Sequence, residues 1–145
     1  MQLLERVKAL DDTQFERLCG CLLEVMGFED VQITGHSHDR GIDGHATLKY
    51  LGLKAAFQAK NWRNNQVGGP RVREFRGSIN RFPVGMFITT SSFTSGAQEE
   101  ADEPGPRIVL IDGDKLVDIM IEKDLGVRTV PVTTQEISEE FFGSI

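Results

Sequence analysis

No stretch of this 145-residue sequence approaches the roughly eighteen consecutive apolar residues of a membrane span, so none is expected. The opening Met1-Gln2-Leu3-Leu4-Glu5 lacks the basic and apolar blocks of a secretory signal. Cysteine is nearly absent, with only Cys19 and Cys21. Two apart on a predicted helix, their side chains diverge and cannot form a clean bridge. Two thiols alone also cannot close a zinc site. Reduced thiols in a cytoplasmic protein are the simplest reading. Repeats, low-complexity tracts and linkers are missing too, which leaves residues 1–145 as a single domain. An excess of positive charge is also lacking: the net charge is −6.

What is present is a globular composition, 39% hydrophobic and 26% charged, in a chain long enough to bury a core. The charge is unevenly spread. Residues 60–81 hold Lys60, Arg63, Arg71, Arg73, Arg76 and Arg81 against Glu74, whereas residues 97–145 hold twelve acids and four bases. A polyanion can meet the first segment and not the second. The alternative is that these arginines form a solvated helix face.

Leu3, Leu4, Val7 and Leu10 have helical spacing, and a second helix is predicted from Thr13 to about Met26, stopped by Gly27. Strands are predicted at Val31–Ile33, Ile42–Leu48 and Lys54–Lys60, with a polar loop from Gly35 to Arg40. Pro70 opens a helix that Pro83 ends, striped by Val72, Phe75, Ile79 and Phe82. A strand follows at Val84–Thr90, then a helix begun by Ser95-Gly96-Ala97-Gln98, which has capping-box spacing. Arg107–Ile111 is the fifth strand, and a last helix is capped by Asp114. Val130 and Val132 alternate and suggest a further edge strand in the tail. The order implies an α/β fold: a mixed five-stranded sheet with helices on both faces, the last strands parallel to an inner one.

Two short segments carry the chemistry: Gly41-Ile42-Asp43-Gly44 and Phe57-Gln58-Ala59-Lys60. Side chains two apart on a strand share a face, so Gln58 and Lys60 point together. Asp43 joins them if the hairpin is antiparallel and the register sets it opposite Gln58. Phosphodiester hydrolysis needs a metal to neutralise the phosphate and acidify the attacking water. Mg²⁺ favours one or two carboxylates with carbonyls and water. Asp43 is then the main ligand, with the Gln58 amide oxygen and the Ala59 carbonyl completing the set. Lys60 orients the water or stabilises developing charge. Each segment alone also has a structural reading, as a glycine turn and a surface pattern; a polar pair ending an apolar strand weighs against that. Glu16 admits two readings, N3 of a capping box on Thr13, or a further metal ligand from a helix packed on the sheet. His36, His38 and His45 read as loop residues, while Asp39 stands near enough to Asp43 to support it.

These residues resemble the catalytic domain of Mrr-type restriction endonucleases, in the PD-(D/E)xK nuclease superfamily. The likeness runs through Phe15-Glu16, Gly27-Phe28, Asp39-Arg40-Gly41-Ile42-Asp43-Gly44 and Phe57-Gln58-Ala59-Lys60-Asn61-Trp62. It continues through Val72-Arg73-Glu74-Phe75-Arg76-Gly77, Gly85 to Ser91 with Phe93, and Val109 to Gly113 with Leu116. The resemblance implies a restriction-endonuclease-like fold and metal-dependent cleavage of double-stranded DNA, with Mg²⁺ or Mn²⁺. It implies catalytic roles for Asp43, Gln58, Lys60 and Glu16, with Gln58 where many relatives have glutamate. Arg63, Arg71, Arg73 and Arg76 are the expected DNA contacts, and Asn61 stands where a basic residue is frequent. A homodimer is expected, since two strands need two active sites. Relatives usually add a DNA-recognition domain that this sequence lacks, so recognition is expected from another domain or subunit. The competing readings are a Holliday-junction resolvase, a non-catalytic DNA-binding module and a structural or oligomerisation domain.

Overall fold

The computed structural model describes residues 2–35 and 41–145. The expectations for His36, His38, Asp39 and the loop around them lie outside the described residues. Helices α1 (Leu3–Lys8) and α2 (Asp12–Val25) lead into an antiparallel meander of β1 (Glu29–Ile33), β2 (Gly44–Leu48) and β3 (Leu53–Lys60). Helix α3 (Gly69–Ser78), strand β4 (Val84–Thr89), helix α4 (Ser95–Ala101) and strand β5 (Arg107–Ile111) follow, then helices α5 (Gly113–Glu122) and α6 (Glu139–Gly143). The sheet order is β1-β2-β3-β4-β5, with β4 and β5 parallel to β3. This is the mixed five-stranded sheet expected from the order of elements.

Strand alternation divides the core. Phe57, Met86 and Ile88 face α1, α2 and α5, packing with Phe15, Leu22 and Leu116. Ala56 and Phe87 face α3 and α4, packing with Val72, Phe75 and Ala97. Phe57 and Phe87 are fully buried, each worth about 1.5–3 kcal/mol by transfer from water. Gly44 is required where β2 pairs with Phe57 of β3, because a Cβ there would stand 2.5 Å from the Gln32 carbonyl oxygen and overlap the Phe57 ring.

Five local expectations are corrected. The α2 capping box is formed by Asp11 and Gln14, each side chain bonded to the other's backbone N–H. Thr13 and Glu16 therefore lie inside the helix rather than at its cap. Helix α4 is capped by Thr94, not Ser95, and α5 by Asp112, not Asp114. In each case an earlier oxygen-bearing residue takes the extended cap conformation. Helix α3 stops at Ser78, before the predicted Phe82, although Ile79 still packs in the core. The tail forms no strand. Val130 and Val132 are 66% and 85% exposed, and Pro131 between them has no N–H to offer a ladder.

Candidate active site

The site forms where the parallel strands end and β2 begins. The last β2–β3 pair is Gly44 with Phe57, yet β3 runs on to Lys60. Asp43 stands at this divergence. Its carboxylate Oδ2 accepts the Ala59 N–H at 2.7 Å. Its own N–H donates to the Phe57 carbonyl at 2.8 Å, and its carbonyl accepts from Thr34 and Gly35 at 2.9 and 3.1 Å. β3 and the chain just past β1 thus both hold this one residue. The Lys60 carbonyl accepts the Thr89 hydroxyl at 2.7 Å, which ties the end of β3 to β4.

Asn61 brings in the helices. Its amide donates to the Leu10 and Lys8 carbonyls at 2.9 and 3.4 Å, and its Oδ1 accepts the Thr90 hydroxyl at 2.8 Å. The α1–α2 turn is therefore clamped to the strand end. This explains an amide, rather than a cation, directly after Lys60. It also holds the turn ahead of α2, and Glu16, one turn into that helix, points toward the sheet and is 7% exposed. A Cβ on Gly35 would stand 3.5 Å from the Glu16 Oε2, and the Gly35 N–H is bonded to Asp43.

Asp12, Glu16, Asp43, Ala59, Lys60, Asn61 and Trp62 line one open cleft of about 340 Å³. Larger clefts, about 450 Å³ beside Asp102 and Arg107 and about 470 Å³ beside His45 and Arg81, lack this convergence. Cys19 lies fully buried in the adjoining core. Burial pushes its thiol well above the usual range, and the negative charges of Asp43 and Glu16 push it further. Both carboxylates therefore act on one locality. Among the described residues no cluster of three or more His, Cys, Asp or Glu side chains could hold a metal. Two carboxylates with a carbonyl and water still suit Mg²⁺, which is rarely caged by protein alone.

The other expected residues separate. Gln58 is 7% exposed and is not among the residues lining this cleft. Its amide instead neighbours Gly41, where a Cβ would lie 3.9 Å from Nε2 and 2.9 Å from the Ser78 Oγ; the Gly41 φ of +82° also favours glycine. Arg63 is exposed beside Lys8 and Asn64. Arg71 lies 5.2 Å over the Trp62 ring. Arg73 pairs with Glu100 at 3.4 Å. Arg76, 14% exposed, also faces Glu100 and donates to the Pro106 and Glu100 carbonyls. Here α3 turns this cation inward against α4. Asp12 and Trp62 were not expected at the cleft; Trp62 lies two residues beyond Lys60, close enough along the chain to signal a shared location.

The restriction endonuclease family model Mrr_cat matches residues 7–120. The chain belongs to the Mrr restriction endonuclease family. It is 34% identical, over 97% of its length, to the type IV methyl-directed restriction enzyme EcoKMrr of Escherichia coli (strain K12), and covers 48% of that protein. The DNA modification-dependent restriction endonuclease AspBHI superposes on 88% of the chain with a TM-score of 0.69 at 25% identity, the match covering 35% of AspBHI. MspJI restriction endonuclease, solved in complex with a 27-mer oligonucleotide, shares the fold over 82% of the chain and 29% of its own, with a TM-score of 0.64 at 22% identity. The Mrr chain thus spans about half the curated relative and about a third of the solved ones.

Proposed function

We propose that this chain hydrolyses phosphodiester bonds in double-stranded DNA, as the catalytic part of a restriction system directed at modified DNA. The observation that carries this reading is the convergence of Asp43, Glu16 and Lys60 in one cleft at the strand ends. The two carboxylates and the Ala59 carbonyl would hold Mg²⁺, with Mn²⁺ as a substitute. Such an ion, when bound, neutralises phosphate charge and makes a bound water more acidic. Gln58, one step beyond the Gly44–Phe57 pair, is a further neutral donor; it joins by turning its amide from Gly41 toward Asp43. Lys60 supplies an ammonium that orients the nucleophile and meets the charge developing on phosphate oxygens. Arg63 and Arg71 meet the flanking backbone. Because the chain covers under half of EcoKMrr, recognition of the modification belongs to another domain or subunit in this reading. Cleavage of both strands then requires a homodimer.

The test is cleavage of methylated, unmethylated and four-way-junction DNA with Mg²⁺ or Mn²⁺. Asp43→Ala and Lys60→Ala should each lower the rate by at least about 10²-fold, with the melting transition retained. Preference for the junction would favour a resolvase. Metal-independent DNA binding that survives Asp43→Ala, with no cutting of any substrate, would leave a non-catalytic module.

A further inference from the structure

We infer that Trp62 is a positioning residue: its indole holds the Arg71 guanidinium at the mouth of the Asp43–Lys60 cleft, aimed at a DNA phosphate beside the scissile one. The inference rests on the nuclease reading for its substrate. Trp62 lines the cleft together with Asp43, Glu16 and Lys60. Only Asn61 separates it from Lys60, the last residue of β3, so the two side chains lie within about 7 Å along the chain. Its backbone is held, since its carbonyl accepts the Thr90 hydroxyl at 3.2 Å and the preceding Asn61 is clamped on both sides. The ring packs in part against the core beneath α3. Arg71 lies over the ring, 5.2 Å from its centroid.

Arg71 differs from the other arginines of α3. Arg73 and Arg76 both face Glu100. Among the described residues no carboxylate pairs with Arg71, which lies over a neutral ring and keeps its charge and donors for an external anion. A stacked guanidinium still presents its edge N–H groups, and those edges match phosphate oxygens in a two-pronged arrangement. The ring attracts the cation weakly and, by stacking, would hold its plane, so that less freedom is lost when a phosphate arrives. A lysine would keep the charge and lose that alignment.

A double-mutant cycle tests this, using the whole chain and a labelled DNA duplex in EDTA at several NaCl concentrations. Arg71→Ala should weaken binding roughly tenfold and make the dependence of log affinity on log salt shallower by about 0.9, one phosphate contact. Trp62→Ala should weaken binding about threefold, and Trp62→Phe should restore most of it. The double variant should bind no more weakly than Arg71→Ala, because Trp62 acts through Arg71. In cleavage assays Trp62→Ala should raise KM and leave kcat within about twofold, the mark of lost uniform binding. Additive losses, an unchanged salt slope in Arg71→Ala, or a wild type that binds no duplex would each overturn the inference. Should Trp62→Ala fail to fold, the Arg71→Ala slope and the comparison of Arg71→Lys with wild type still decide, since Arg71 is exposed; an Arg71→Lys affinity equal to wild type would count against the stack. A coupled cycle without cleavage would uphold the stack and sink the nuclease reading.

Discussion

Arg76 carries a charge that the fold uses internally. It lies between α3, Glu100 of α4 and the Pro106 carbonyl ahead of β5. Removing one partner of a largely buried pair leaves the other charge and two carbonyls without it, a loss on the order of 3 kcal/mol. Arg76→Ala should therefore lower the denaturation midpoint while the salt dependence of DNA binding stays at the wild-type slope; a shallower slope would place Arg76 on the DNA after all. Glu16 shows the opposite shift. Its position suits a capping box on Thr13, but Asp11 and Gln14 form the box instead. Glu16 is left facing Gly35 and the cleft, beyond the reach of a capping explanation.

At the scale of elements, the site depends on β3 being longer than β2. The three residues past Phe57 have no β2 partner in the ladder, and the Asp43 carboxylate takes the free Ala59 N–H. This satisfies a donor that would otherwise be exposed or orphaned. Helix α2 must also begin at the right residue for Glu16 to arrive. Asp11 sets that start through its bond to the Gln14 N–H at 2.7 Å. Asp11→Ala should cost about 1 kcal/mol in chemical denaturation. It should reduce cleavage by less than Asp43→Ala does, because the Asn61 clamp still holds the preceding turn. Equal losses of activity would mean that the cap, not the clamp, positions Glu16.

At the scale of the molecule, the two core clusters lie on opposite faces of the sheet and draw on residues up to Met120. Beyond that point only Leu125 and Val127 pack against the first cluster. Val130, Val132, Ile137, Phe141, Phe142 and Ile145 are each more than half exposed. Removal of residues 129–145 should then shift the melting temperature by no more than about 2 °C, since few buried contacts go with them. A larger drop would show that the tail packs in solution, for example in an assembled form. No described helix is long and apolar enough to cross a membrane.

Local signals in the sequence determined much of this protein. Strand periodicity, the proline and glycine stops and the order of elements were enough for a mixed five-stranded sheet, because alternation and helical spacing are set by backbone geometry alone. The spacing of Asp43, Gln58 and Lys60 pointed to the strand ends for the same reason, since an antiparallel hairpin leaves few registers, although Gln58 does not line the cleft. Only the tertiary structure decided which charges remain available. Arg71, Arg73 and Arg76 are equivalent as a basic run, yet their partners Trp62 and Glu100 lie on other elements. The fate of Asn61 was likewise hidden, because the Leu10 carbonyl it holds is fifty-one residues away. Cap choice and the unpaired tail fell between the two scales. Several oxygen-bearing residues suited each helix start, and a valine pattern becomes a strand only when an open edge accepts it. Contacts distant in the chain are fixed by packing, and packing leaves no mark in a local pattern.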